Sequence, residues 1–119
     1  PITTLFGHEG EVHALAYRGD GKLLASASTD QTARVWDVEA AERNGILSGH
    51  GSFVYGVAWH PDGRRLASAA WDGTIRQWDA DSGRQVSSCP VSRYGFSVAY
   101  SPKGGLLASL SRDNAIHLW

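Results

Sequence analysis

Residues 49–79, GHGSFVYGVAWHPDGRRLASAAWDGTIRQWD, decide the fold of this chain. They open on Gly49-His50 and continue into an alternating apolar run over residues 54–59. A Pro61-Asp62-Gly63 turn follows, then a second apolar run over residues 66–70. A tight turn at Asp72-Gly73 leads into a last run that ends in Trp78-Asp79. Period-two alternation between Pro, Gly and Asp turn signals is the mark of short β-strands joined by hairpins.

The same pattern flanks this stretch on both sides. Trp36, Trp78 and Trp119 stand 42 and 41 residues apart, and Asp30, Asp72 and Asp113 keep the same two spacings. Gly21, Gly63 and Gly104 agree, and His8 and His50 are 42 apart. Several residue types in one register define an internal repeat of three copies. Each copy holds up to four strand signals. In the first these are residues 12–18, 23–28 and 32–36, then a polar, Ala-rich loop over 38–44 and a short strand near Ile46-Leu47. The loop allows at most a single helical turn. The second copy repeats this from Val54, with its fourth strand near residues 85–88. The third runs from Phe96, turns at 102–105 and continues through 106–111 and 116–119.

Composition narrows the function classes. Of 119 residues 42% are hydrophobic and 19% charged, with net charge −1, which fits a soluble globular domain. Near-neutrality leaves no basic footprint for nucleic acid and no cationic block for an anionic membrane. No apolar run reaches the roughly 20 residues of a spanning helix. No signal peptide is visible and Cys89 has no partner, which points to the cytoplasm. The chain holds no Met, so either an initiator preceded Pro1 or the chain was cut from something longer. Arg outnumbers Lys nine to two, which suits carboxylate pairing and aromatic stacking or is a habit of the source.

Gly-His, Pro-Asp-Gly, Ser-x-Asp and Trp-Asp, in that order at this period, resemble WD40 repeat proteins over nearly the whole chain. The resemblance implies an all-β fold, a β-propeller whose blades each have four antiparallel strands around a channel. It also implies that the strand after Trp-Asp is the outermost of its blade. Residues 1–6 are then an outer strand completing the last blade in trans, 7–48 and 49–90 are the first two repeats, and 91–119 is a third repeat lacking its own outer strand. Three blades are too few to close a ring. The expected partner is therefore the chain itself, as a six-bladed homodimer before a nine-bladed homotrimer, or else blades of a larger propeller.

The resemblance implies roles for two residue sets. The first is a structural hydrogen-bond network of His8, Ser28, Asp30 and Trp36, with His50, Asp72 and Trp78 in the second copy. There Ala70 stands where Ser28 stands, which predicts a broken network. In the third copy Ser111, Asp113 and Trp119 recur but Val91-Ser92 replaces Gly-His, so this blade is expected to be the loosest. Ser, His and Asp together suggest a nucleophile, but the family role is structural, so no catalytic residue and no enzyme is expected. The five His residues lack metal-motif spacing and no Gly-rich loop precedes a helix, so no metal site or cofactor is expected.

The second set points out of the top face around the channel mouth and contacts partners in this family. Here it is Glu11, His13 and Thr29, then Phe53, Tyr55 and Trp71, then Tyr94, Phe96 and Arg112. Five of the nine are aromatic and one is Arg, types enriched at binding hot spots. Tyr55 and Phe96 also alternate with Val57 and Val98, the pattern of side chains that fill seams between blades. Arg112 is expected near Glu11 or Glu9 across the seam between copies. The resulting expectation is a non-enzymatic, self-assembling scaffold for protein or peptide binding. The alternative is a structural assembly unit, designed or truncated, with no native ligand.

Overall fold

The computed structural model describes residues 2–92 and 94–119. It is all-β, and among the described residues there is no helix. Eleven short strands form three antiparallel sheets. The first sheet holds β1 (Val12–Tyr17), β2 (Leu23–Ser28), β3 (Ala33–Asp37) and β4 (Glu42–Leu47), hydrogen-bonded in that order. The second holds β5 (Val54–Trp59), β6 (Arg65–Ala70), β7 (Thr74–Asp79) and β8 (Gln85–Pro90). The third has three strands, β9 (Gly95–Tyr100), β10 (Leu107–Ser111) and β11 (Ile116–Leu118). Each sheet is a meander because each hairpin turn is short. Gly21, Gly63 and Gly104 supply the left-handed residue of the first hairpin in each copy, at φ 73°, 70° and 76°.

One expectation needs correction. The stretch 38–44 is not a loop: the chain turns at once after Asp37, whose Oδ1 accepts from the Ala40 N–H at 2.8 Å, and β4 begins at Glu42. Its polar sequence hides a strand because an outermost strand pairs through its backbone and buries little side chain. The outer strand expected at 1–6 would pair in trans with another blade, which a single chain does not contain. Residue 1 lies outside the described residues, and residues 2–7 join no sheet, with Ile2 and Phe6 exposed.

The core lies between sheets rather than within them. One face of β2 and β3, carrying Leu23, Ala25, Ala27, Ala33 and Val35, meets Val54, Val57, Trp59, Leu66 and Trp78 of the second sheet. Ala67, Ala69 and Ile75 of the second sheet meet Val98 and Leu107 of the third. Small residues on one side of each seam let large ones on the other side fill it. Burying one Leu or Val this way stabilises the fold by about 1.5–3 kcal/mol. Polar contacts fix the register of both seams. The Trp59 indole donates to the Ala16 carbonyl at 3.0 Å, and the Tyr100 hydroxyl donates to Gln77 Oε1 at 2.8 Å.

Candidate functional site

Two constellations stand out, one inside each sheet and one on a rim shared by all three. The first is a directed hydrogen-bond chain. With the proton on Nδ1, His8 donates to Asp30 Oδ2 at 2.7 Å and accepts at Nε2 from Ser26 Oγ at 2.6 Å. The same Ser26 oxygen accepts from the Trp36 indole at 2.8 Å. The hydroxyl in this chain belongs to Ser26, not Ser28. Trp36 pairs with Leu24 across the ladder, so Ser26 is one diagonal step away, while Ser28 is two steps on and out of reach of the indole. Ser28 instead accepts from the Asp30 N–H at 3.1 Å, within the turn.

The same displacement overturns the expectation of a broken second network. His50 bonds Asp72 Oδ2 at 2.8 Å and Ser68 Oγ at 2.6 Å, and Trp78 donates to Ser68 at 2.8 Å. Ala70 therefore costs this network nothing. Ser26, Ser68 and Ser109 repeat at 42 and 41 residues, so the register held the signal, and the neighbouring Ser28 obscured it. In the third sheet Trp119 donates to Ser109 at 2.9 Å, but no imidazole follows. Ser92 reaches Asp113 directly, Ser111 donates to it at 2.8 Å, and His117 approaches it at 2.8 Å from β11.

Electrostatics follow from these partners. Burial raises the pKa of Asp30 and Asp72, but hydrogen bonds outweigh it and hold both carboxyls below the usual range. For Asp30 these come chiefly from Thr32 and His8, for Asp72 from His50 and Thr74. Burial pushes His50 down from its ordinary value, only partly offset by Asp72. A neutral His50 is what the chain of donors requires, since Nε2 must accept from Ser68.

The second constellation is the rim. The ladder β1–β2 skips His13, β5–β6 skips Tyr55 and β9–β10 skips Phe96, each at a register shift. A bulge leaves one residue out of the ladder and re-aims its side chain. Here all three bulged side chains turn toward the same end of the sheets and meet their neighbours. His13 and Tyr55 rings are 4.3 Å apart, and Tyr55 stacks on Trp71 at 4.8 Å. Phe53 lies 5.6 Å and Tyr94 5.0 Å from Trp71, and Phe96 lies 6.1 Å from Tyr55.

The ends of this strip carry opposite charge. Glu11 lies 3.3 Å from His13, and the Arg112 guanidinium sits 5.6 Å over the Tyr94 ring. Eight of the nine residues expected on the top face thus join one strip. Thr29 stands apart from it, its hydroxyl accepting from the Glu11 N–H at 3.0 Å. The Trp71 indole N–H is buried and has no hydrogen-bond partner among the described residues. Tyr94 is held at φ 63°, a left-handed conformation that costs a non-glycine residue about 1–3 kcal/mol.

The WD domain, G-beta repeat family model matches residues 1–37, 41–79 and 83–119. The chain belongs to the WD40 repeat family. The Periodic tryptophan protein 2 homolog of Schizosaccharomyces pombe is 48% identical over 46 residues, covering 39% of this chain and 5% of that protein. THO complex subunit 3 of Arabidopsis thaliana is 52% identical over 33 residues, 28% of this chain and 10% of that protein. Target of rapamycin complex subunit wat1 of Schizosaccharomyces pombe is 48% identical over 40 residues, 34% of this chain and 13% of that protein. The matches thus span only a small part of each of these relatives, 13% at most.

WD40 repeat proteins are generally non-enzymatic scaffolds, and the Ser-His-Asp geometry here is enclosed. In both complete WD40 networks the His bridges Asp and Ser as a general base would. Yet Ser26 and Ser68 are buried at 2% and 0% exposure, and each oxygen is capped by an indole N–H.

Proposed function

We propose that this WD40 chain is a non-enzymatic scaffold whose aromatic rim receives a peptide or a loop of another protein. The observation that carries this reading is the strip itself. Three blades contribute bulged residues to one continuous set of rings, ending in Glu11 on one side and Arg112 on the other. Flat aromatic area ending in a cation is the chemistry of a binding hot spot. Two of the relatives above are named as subunits, of the THO complex and of a target of rapamycin complex, which supports a role in assembly with other proteins.

The reading extends to the end faces. Apolar residues of β1 and of β9–β11 stay exposed on the two outer sides of the stack. Blades of the same pattern cover such faces inside the chain. A second copy does so when the chain is alone, with a six-bladed dimer preferred to a nine-bladed trimer.

A second reading, a structural unit without a ligand, is favoured by the way the rings already pack on one another, above all Tyr55 on Trp71. Panning a random peptide library on the chain separates the two. On the first reading Tyr55→Ala and Trp71→Ala abolish binding of the selected peptides while changing the melting temperature by only a few degrees. If no peptide is selected, or if both variants lower stability while peptides still bind, the rings are seam packing.

A further inference from the structure

The two internal seams are templates for whatever covers the outer faces. In each, the first strand of one blade packs on the first two strands of the blade before it, β5 on β1 and β2, then β9 on β5 and β6. Two positions repeat at every seam. Ala27, Ala69 and Leu110 are equivalent on the receiving face, and Val12, Val54 and Gly95 are equivalent on the inserted strand. At the first seam Ala27 and Val54 are both fully buried in one core. At the second, Gly95 lies directly on Ala69. A Cβ on Gly95 would stand 3.4 Å from that of Ala69 and 3.0 Å from the Ala70 carbonyl oxygen. The same seam presses β9 onto Gly56, where a Cβ would come within 2.8 Å of the Ser97 Cα.

The face of β9–β11 is the next receiving face. Ser97, Ala108, Leu110 and Ile116 line a shallow groove of about 170 Å³ there, and Leu106 and Leu118 extend its apolar surface. At the other end of the chain Val12, Leu15 and Tyr17 present an exposed inserting face on β1. Docked with the geometry of the internal seams, a second copy sets Val12 against Leu110. The internal seams hold Val against Ala and Gly against Ala at this point, so the seam between copies carries at least three extra carbons where the backbones come closest. Overpacking of this kind forces side chains off their rotamers and strands apart.

We propose that the β9–β11 face docks the β1 face of a second copy, and that Leu110 against Val12 is a steric brake that keeps this seam weaker than the internal ones. The proposal rests on the reading that copies stack blade to blade. The brake gives the face a preference: a blade with Gly or Ala in the place of Val12 fits it better than the chain's own first blade does.

Sedimentation velocity on the intact chain, from micromolar to millimolar concentration, tests this. Leu110→Ala is expected to tighten self-association about tenfold in Kd, or ~1.4 kcal/mol, although it removes apolar surface. Val12→Ala has the same direction. The double variant gains less than the sum, because both changes relieve one contact. Ile116→Arg, on the same face, abolishes association. Circular dichroism checks that each variant keeps its sheets. If the wild type associates and Leu110→Ala weakens it or leaves it unchanged, the brake is overturned while blade stacking stands. If Ile116→Arg leaves association intact, the face is wrong. If the folded wild type and Leu110→Ala both remain single chains at millimolar concentration, stacking between copies fails and takes the proposal with it.

Discussion

The first and middle blades present nearly the same sequence pattern in different surroundings. Val12 is 49% exposed and its equivalent Val54 0%, while Tyr17 is 63% exposed and Trp59 9%. Strand length, bulge position and the His-Ser-Trp chain match between the two. What differs is the neighbour. The first blade offers its β1 face to solvent, whereas the middle blade lies between two others. A WD40 repeat therefore has no core of its own. It has two half-cores, and each becomes a core when another blade closes on it.

The largest expected effect is at the seam. Trp59→Ala leaves a cavity against the first blade and a carbonyl without its indole donor, and is expected to cost about 3–5 kcal/mol in urea denaturation. Tyr17→Ala, at the equivalent strand position, is expected to cost less than about 1 kcal/mol. Equal losses at the two positions would mean that the β1 face is already covered in solution.

Next in size is the hydroxyl of the network. Ser68→Ala strands the Trp78 indole and the His50 acceptor in a buried site, an expected loss of about 3 kcal/mol. Ser28→Ala removes one acceptor for the Asp30 N–H, about 1 kcal/mol. The reverse order, read from the same denaturation curves, would return the network to Ser28.

The smallest effect is pH dependence. His50 titrates lower in the folded chain than its ordinary value of 6.5, so below that value the unfolded chain binds more protons. The His50 contribution is thus intact above pH 6.5 and declines as pH falls through 6.5 toward the folded pKa. The depressed Asp30 and Asp72 add a further loss at lower pH, below the ordinary carboxyl value of 3.8. Denaturation midpoints between about pH 7.5 and 5 should fall for the wild type, and less steeply for His50→Asn. A slope unchanged by His50→Asn would place the titration elsewhere.

The third blade extends the comparison. Its exposed Asp113 gathers Ser92, the buried Ser111 and His117, in place of an imidazole buried beneath an indole. The loss of Gly-His was plain in the sequence. His117 takes the register position of Arg34 and Arg76, each of which lies beside the Asp four residues before it, so its pairing with Asp113 follows the repeat.

Taken by itself, the sequence determined the repeat, its period and the all-β class, because strand alternation, turn residues and a fixed period are local signals; the rim positions came from the resemblance to WD40 proteins that its motifs carry. It misplaced the network hydroxyl, because Ser26 and Ser28 alternate identically and only the ladder shows which one lies a diagonal step from Trp36. It also began the fourth strand near Ile46 instead of Glu42, because the polar first half of β4 carries no alternation while its backbone pairs with β3. Only the tertiary structure decided how far each half-core is covered. It also brought the bulged His13, Tyr55 and Phe96 to one end of three sheets. Burial and approach across a seam depend on side chains about 42 residues away, and no window along the chain contains both sides of such a contact.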